Sequence, residues 1–144
     1  MIIIRVVSIL SLSCLLVSCK QDKNQYTGQE AIKYNQYLFQ GEQLYFSRCL
    51  NCHQNDGSGL GKLIPPLTTD FLKIKKQTAI CIVKHGLEGP IQINGINYDR
   101  TMPSNPRLTP LEIAELMTYI SNSWGNEYGM VTIQEVEEAL KDCN

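Results

Sequence analysis

Residues 49–53 read Cys49-Leu50-Asn51-Cys52-His53, and this short motif is the most informative part of the sequence. Two cysteines separated by two residues and followed at once by histidine form the C-x-x-C-H sequence, in which both thiols bond to a c-type haem and the histidine ligates its iron. The same cysteine spacing occurs in thioredoxin-like dithiols, which need a βαβ context, and in zinc sites, which need a second Cys/His pair. The chain has no βαβ pattern, and Cys81 with His85 is the pair available for zinc. The sequence therefore favours one covalently attached haem c.

An iron ligated by His53 has a further position on the opposite side of the haem. The candidates for it are Met102, Met117, Met130 and His85. Met102 precedes a proline, which restricts it to an extended conformation and can hold the thioether in one place. Met117 falls in an apolar stripe of helical period typical of core residues, and Met130 lies in a polar segment. We expect Met102 to be the ligand, whereas His85 would give a bis-histidine iron of lower potential.

The segments around these residues resemble the class I cytochromes c, in particular the small monohaem domains associated with bacterial copper nitrite reductases, quinoprotein dehydrogenases and terminal oxidases. The resemblance covers roughly residues 37–140. Besides the haem motif it rests on Gly41 to Tyr45, Asp56-Gly57-Ser58-Gly59, Pro65-Pro66-Leu67, Gly86 to Ile91, Ile93-Asn94-Gly95, Tyr98, Met102-Pro103 and Ile113 to Asn126. It implies an all-α class I cytochrome c fold wrapped around one haem.

The resemblance also implies roles for individual residues. Pro65 stands twelve residues after His53, where the family offers a proline carbonyl to the other ring nitrogen of the histidine, a bond that would orient the ring. Leu67 and Tyr98 are expected among the residues that contact the haem. The small residue Gly41 on the first helix is expected to pack, together with Tyr45, against the late helix around residues 116–119.

Helical periods and capping signals predict four helices. They are predicted over residues 36–49, 78–85, 110–124 and 133–142. The third helix begins with a capping box of Thr109 and Glu112, and the fourth repeats it with Thr132 and Glu135. The first helix delivers the haem motif at its end.

A short β-hairpin is predicted over residues 91–98. Apolar and polar residues alternate there around Asn94-Gly95, the dipeptide that most favours a two-residue hairpin turn. An irregular loop is the alternative. A hairpin here would form the base of the Met102 loop and bring Tyr98 near a haem edge.

The N-terminal residues predict export and a lipid anchor. Residues 1–18 are mostly apolar, with Arg5 as their one charge, and are too short to span ~30 Å of hydrocarbon comfortably, which is typical of a signal peptide. At their end Leu16-Val17-Ser18 is followed by Cys19, a sequence that resembles the lipobox of bacterial lipoproteins, so that Cys19 would be acylated. The alternatives are an ordinary signal cleaved elsewhere and an uncleaved transmembrane helix. Residues 19–35 are polar and predict a flexible tether, residues 36–144 the haem domain, and the domain is expected on the periplasmic side of the cell envelope.

Cys81 and Cys143 remain after the signal, lipid and haem cysteines have been assigned. An even pair in an exported and oxidising setting predicts a disulfide that joins the middle and final helices. The alternative is a small buried Cys81 and a free terminal thiol at Cys143. A Cα–Cα distance above ~7 Å would exclude the bond.

Composition bounds the function. With 43% apolar and 19% charged residues, 144 residues suffice for one folded domain, and a net charge of −1 offers no basic footprint for nucleic acid. No catalytic constellation accompanies the haem motif, so an electron carrier without enzymatic activity is expected, as a monomer or as a subunit of a complex. A haem enzyme or gas sensor would need an open sixth position, and a fixed haem subunit of a larger dehydrogenase, nitrite reductase or oxidase is the further alternative.

Overall fold

Six helices and one hairpin order residues 26–143, the part of the chain that the computed structural model describes. In chain order they are α1 (Gln29–Arg48), α2 (Leu50–His53), α3 (Phe71–Ile74), α4 (Lys76–His85), β1 (Ile91–Ile93), β2 (Ile96–Tyr98), α5 (Pro110–Ile120) and α6 (Ile133–Lys141). The all-α architecture with one small hairpin is confirmed. Within residues 26–143, no helix combines the length and the apolar character that a membrane span requires.

Helices α1 and α5 cross closely and form the largest helix contact of the fold. Gly41 makes this possible, because a Cβ atom at that position would lie 2.7 Å from the Cβ of Tyr119. One turn later, the fully buried Tyr45 ring lies 5.6 Å from the Tyr119 ring and 5.0 Å from that of Trp124, measured between centroids. The predicted crossing of the first and late helices is therefore present.

Helices α5 and α6 both begin with the predicted capping box. The Thr109 hydroxyl accepts a hydrogen bond from the Glu112 backbone N–H at 3.2 Å, and the Glu112 carboxylate accepts one from the Thr109 backbone N–H at 2.8 Å. Thr132 and Glu135 repeat both bonds at 3.2 and 2.8 Å. Each box pairs donors that a helix start leaves without partners inside the helix, which fixes the start of the helix.

The first helix begins seven residues before the predicted position, at Gln29. The flexible tether predicted for residues 19–35 is therefore wrong for residues 29–35. Tyr26 explains the longer helix: its hydroxyl accepts a hydrogen bond from the Met130 backbone N–H at 2.8 Å, and its ring lies 4.8 Å from the Tyr34 ring. A segment held at its start by a distant part of the chain can continue a helix at little cost, since helix growth is cooperative.

The predicted signal peptide over residues 1–18, the lipid site at Cys19 and the tether up to residue 25 lie outside the described residues.

The late helix α5 ends at Ile120, four residues before the predicted stop at Trp124. The Asn122 side chain accounts for the early end. It donates to the carbonyls of Thr118 at 2.7 Å and Gly129 at 2.9 Å, and it accepts from the Gly129 N–H at 3.0 Å. An asparagine that bonds backbone groups in this way competes with helix continuation.

The hairpin is confirmed with antiparallel strands β1 and β2. Ile91 pairs with Tyr98 and Ile93 with Ile96. Asn94 and Gly95 at the turn have φ values of 51° and 77°, as expected for a turn that requires positive φ at both central positions. The middle helix α4 is also present and begins at Lys76, two residues before the predicted start.

Candidate functional site

The haem motif lies where α1 passes into the short helix α2. The Cys49 N–H donates to the Tyr45 carbonyl at 2.8 Å, and the His53 N–H donates to the Cys49 carbonyl at 2.9 Å, so helical geometry continues through the motif. Positions three and four residues apart share one helix face, which puts Cys49, Cys52 and His53 on the same side. The Tyr45 hydroxyl closes this turn by donating to the Gln54 carbonyl.

His53 is held by one hydrogen bond to the backbone. Its Nδ1 atom lies 3.2 Å from the carbonyl oxygen of Pro65, the position that the family resemblance indicated, and the side chain is only 8% exposed. Burial lowers the pKa of His53 below its usual value, while the bond to Pro65 acts in the opposite direction. A neutral imidazole whose Nδ1–H is engaged presents Nε2 as the nitrogen available to a metal.

A largely apolar cavity opens beside His53. Its empty space is about 1210 Å³, a figure that includes the open mouth. Its wall contains the predicted contact residues Leu67 and Tyr98, together with Leu72 from α3, Ile82 and Val83 from α4, and Ile93 from β1. Cys49, Cys52 and His53 line one side, so the two thiols and the imidazole reach the same enclosed space.

Met102 lines the same cavity as His53. Its backbone pairs with that of Leu87 through two hydrogen bonds of 2.9 Å, one in each direction. Gly86 precedes this pair with a φ of 78°, and a Cβ there would lie 2.8 Å from the Ser104 nitrogen, so the Met102 loop packs against the glycine backbone. The backbone of Met102 is therefore restricted both by this pairing and by the proline that follows it.

The other ligand candidates lie elsewhere. Met117 is completely buried in the helical core, and Met130 packs against that core; neither belongs to the cavity wall. His85 is exposed at the end of α4 and is also absent from the wall. Of the four candidates, Met102 alone shares the cavity with His53.

Two arginines at the cavity were missed from the sequence. Arg48 directly precedes the haem motif, and Arg100 stands two residues before Met102; both side chains are exposed and border the cavity. A guanidinium group suits carboxylates, and a haem carries two of them. Their places in the chain, next to the motif and next to the predicted ligand, were the available signal.

Asn126 is a further residue whose role the sequence did not reveal. Its buried side-chain amide donates to the carbonyls of Leu67 at 2.9 Å and Ile120 at 2.8 Å. These two bonds tie the cavity wall to the end of α5. A buried amide needs hydrogen-bond partners, and those of Asn126 include a residue far away in the sequence, so no local pattern predicts its role.

The surroundings of Cys49 disfavour thioredoxin-like use of the cysteine pair. Burial raises the pKa of the Cys49 thiol to about 11, although Arg48 acts in the opposite direction. A dithiol that exchanges disulfides needs a lowered thiol pKa, so this environment is unsuited to thioredoxin-like chemistry.

Zinc lacks its second pair of ligands. The Sγ atom of Cys81 is bonded to that of Cys143, with a Cα–Cα distance of 5.5 Å, which is inside the limit that the predicted disulfide required. Within residues 26–143 no group of three or more His, Cys, Asp or Glu side chains could hold a metal ion. Two thiols, an imidazole and a thioether around an apolar cavity fit a covalently attached haem.

Comparison with known proteins agrees with this geometry. A family model for cytochrome c matches residues 39–124. Cytochrome c-552 of Thermus thermophilus is 31% identical over 86 residues, which cover 56% of this chain and 66% of that protein. The cytochrome c subunit of the quinone alcohol dehydrogenase of Gluconacetobacter polyoxogenes is 30% identical over 106 residues, which cover 71% of this chain and 22% of that subunit. The chain thus spans slightly less than two thirds of the first relative and about a fifth of the second.

The matched region contains the C-x-x-C-H motif, the Pro65 carbonyl, the hairpin and Met102, and it makes up more than half of the chain. The sequence match and the cavity therefore lead to the same assignment: the chain belongs to the cytochrome c family, electron carriers that hold a covalently attached haem c.

Proposed function

We propose that His53 and Met102 would hold the iron of a single haem c, and that the chain passes single electrons between redox proteins at the surface of a membrane. The observation that carries the ligand assignment is that Met102 shares the cavity with His53, whereas Met117, Met130 and His85 do not. When bound, the haem supplies an iron that alternates between the ferric and ferrous states.

The residues of the chain set the conditions for this exchange. His53 and Met102 are both uncharged ligands, and a thioether ligand raises the reduction potential. Leu72, Val83 and Ile93 exclude water from the cavity, which disfavours the additional charge of the ferric form. The bond from His53 to Pro65 fixes the imidazole so that its orientation need not change during exchange.

A position as a fixed haem subunit is the second candidate. The alignment with the quinone alcohol dehydrogenase subunits supports it, since 71% of this chain aligns with one part of a longer cytochrome c subunit. A freely associating carrier is supported by the alignment with cytochrome c-552, in which this chain corresponds to most of the relative. We favour the carrier, and size exclusion of membrane extracts in a mild detergent distinguishes the two.

The proposed location rests on the N-terminal sequence. We infer that Cys19 is acylated after removal of residues 1–18, and that the domain lies on the periplasmic side of the cell envelope. The apolar segment that ends in Leu16-Val17-Ser18-Cys19 supports this inference. Its redox partners are then envelope proteins close to the same membrane.

Exposure of the reduced holoprotein to carbon monoxide tests the carrier against a haem enzyme or gas sensor. If Met102 holds the iron, no position is open to the gas, so we expect an unchanged visible spectrum during minutes of exposure and reversible one-electron oxidation afterwards. The Met102→Ala variant is the positive control and should bind the gas. Rapid gas binding by the unmodified protein would overturn the proposal and indicate an open site.

A further inference from the structure

The outer side of helix α1 carries a row of large apolar side chains. Ile32 and Phe39 are 60% exposed and Phe46 is 41% exposed. They follow one another at intervals of seven residues, which is nearly two helical turns, so they lie in one line with a spacing of about 10 Å. The residues of α1 that are buried in the domain are Tyr37, Gly41 and Tyr45. The row lies on the opposite side of the helix from these buried residues, because the two sets are displaced by about half a turn.

The surroundings of this row carry little charge. The helix positions within about 60° of it are Gln29, Asn35, Gln36, Glu42 and Gln43, of which Glu42 alone is charged and is only partly exposed. A helix side that faces water ordinarily carries more charged residues. Lys33 stands about 100° to one side of the row, and Glu30 lies towards the buried face. We call the row and these neighbours the outer face of α1; it combines apolar side chains with mostly neutral polar ones, and Glu42 lies at its border.

We propose that the outer face of α1 rests on the lipid bilayer to which Cys19 fixes the chain. This inference rests on the lipid anchor in the proposed function. The proposal depends on the start of α1 at Gln29 and not at the predicted residue 36. About ten residues separate Cys19 from Gln29, and they reach at most about 35 Å when extended. Helix α1 is thus the element nearest the anchor, and its outer face is always within reach of the membrane surface.

A lipid surface suits this face because of how such helices bind. Phenylalanine and isoleucine side chains enter the boundary between headgroups and acyl chains, and the affinity depends on the apolar area that they bury. Three half-exposed side chains give only weak binding by themselves. A lipid anchor at the start of the helix raises the local concentration of membrane, so weak binding is enough to hold the helix flat.

A second copy of the chain fits this face less well. A helix of 20 residues is about 30 Å long and about 10 Å wide. Two such faces would bury roughly 600 Å² in total, whereas stable protein interfaces bury about 1,200 Å² or more. Binding to the bilayer does not require such a large buried area, since the anchor supplies the remaining affinity.

Cys19 offers a direct way to test the proposal. In the holoprotein from Cys19 to Asn144, Cys49 and Cys52 carry haem and Cys81 is bonded to Cys143, so Cys19 is the free thiol of the secreted chain without lipid. Coupling Cys19 to a maleimide phospholipid in phosphatidylcholine vesicles therefore reproduces the anchor whether or not cells acylate this residue. Vesicles that also contain a diazirine on the acyl chains then label the protein segments that enter the lipid on illumination.

We expect the carbene label to concentrate in peptides from residues 29–48. The double variant Phe39→Gln/Phe46→Gln should reduce that label about tenfold, because it removes most of the inserted apolar surface. Ile74→Gln is the matched control: Ile74 is 72% exposed on α3, and its loss should leave the label in α1 unchanged. The haem spectrum reports that each variant has folded.

Three outcomes would overturn the proposal. They are label spread evenly over the surface, label centred on another segment, and absence of label from α1 in a protein that runs as a dimer in size exclusion after detergent extraction. If cells do not acylate Cys19, protein isolated from membranes will lack the acyl group, and this result is separate from the labelling. The vesicle experiment tests the outer face of α1 in either case.

Discussion

The Nδ1 atom of His53 lies 3.2 Å from the carbonyl oxygen of Pro65, twelve residues further along the chain. The loop between them is folded tightly enough to bring the two together. The Gly59 N–H donates to the His53 carbonyl at 3.0 Å, and the Leu67 N–H donates to the Gly57 carbonyl at 2.7 Å. The orientation of the haem ligand therefore depends on glycines that are not part of the haem motif.

Gly59→Ala is expected to disturb His53 without touching it. Gly59 has a φ of 70°, and a Cβ there would lie 2.6 Å from the Pro65 carbonyl oxygen. The carbonyl must move away, so His53 loses its partner, its imidazole becomes less basic, and the reduction potential should rise. We also expect a loss of about 2 kcal/mol in unfolding free energy from the clash and the left-handed backbone. Redox titration and urea unfolding measure the two effects.

Gly61→Ala is the matched control for this variant. Gly61 also has a positive φ, 53°, but no atom lies within 4 Å of the position of an added Cβ. The Gly61→Ala variant should therefore lose only the unfolding free energy that an alanine at positive φ costs, and it should keep the original reduction potential. Equal changes of potential in both variants would refute a role for the Pro65 bond.

Removal of the disulfide should weaken the attachment of α6. Cys81 and Cys143 close a loop with a sequence separation of 62, for which the loss of chain entropy in the unfolded state predicts roughly 4 kcal/mol. We expect Cys81→Ala/Cys143→Ala to lower the free energy of unfolding by up to that amount, with an unchanged haem spectrum. Mass spectrometry of the unreduced, alkylated protein is the chemical check, and two labelled thiols would show that no bond exists.

Both capping boxes should make stability depend on pH in the acid range. The hydrogen bond from the Thr109 backbone N–H lowers the pKa of Glu112 below its ordinary value of 4.5. Burial by itself raises the pKa of Glu135, but hydrogen bonds from Lys76 and Thr132 outweigh it and leave the pKa below 4.5. Since the folded pKa values lie below the unfolded ones, both carboxylates stabilise the fold fully above pH 4.5 and lose that contribution as the pH falls through the folded values.

Glu112→Gln and Glu135→Gln separate the charge from the geometry. Glutamine can complete a capping box but does not titrate, so each variant should remain folded at pH 7 and show a flatter loss of stability below pH 4.5. Urea unfolding of the holoprotein between pH 3 and pH 7 measures this. An acid profile as steep as that of the unmodified protein in both variants would mean that other carboxylates cause it. Glu137→Gln, on the exposed side of α6, is the control.

Cys19→Ala should release the protein from the membrane. An acyl chain contributes ~0.8 kcal/mol per buried CH₂, and no helix within residues 26–143 is long and apolar enough to replace it. Fractionation of cells that express each form checks this. Continued sedimentation of the variant with membranes would mean that the N-terminal segment is retained or that a partner holds the domain.

Local signals account for what the sequence predicted. The capping boxes of Thr109 and Thr132, the Asn94-Gly95 turn and the C-x-x-C-H motif each depend on residues within a few positions of one another. The interactions that stabilise these features lie within the segment itself: a side chain bonds to a backbone group three residues away, or a turn requires positive φ. They can therefore be predicted without knowing the rest of the fold.

Long-range contacts account for what the sequence did not predict. The start of α1 depends on Tyr26 meeting Met130, 104 residues away, and the cavity wall depends on Asn126 meeting Leu67, 59 residues away. Neither partner can be recognised from local composition. The two arginines of the cavity were missed for a similar reason. In the sequence each reads as an ordinary solvent-exposed charge, and only the fold places both at the opening of one cavity.

The near-infrared spectrum of the oxidised holoprotein tests the His53–Met102 ligand pair most directly, since a thioether on ferric haem iron gives a charge-transfer band there. We expect the band in the unmodified protein and in Met130→Leu, and we expect Met102→Ala to lose it while keeping the covalent haem. In that variant the reduction potential should fall, by on the order of 100 mV. If the band and potential persist without Met102, another side chain holds the iron and the ligand assignment is wrong.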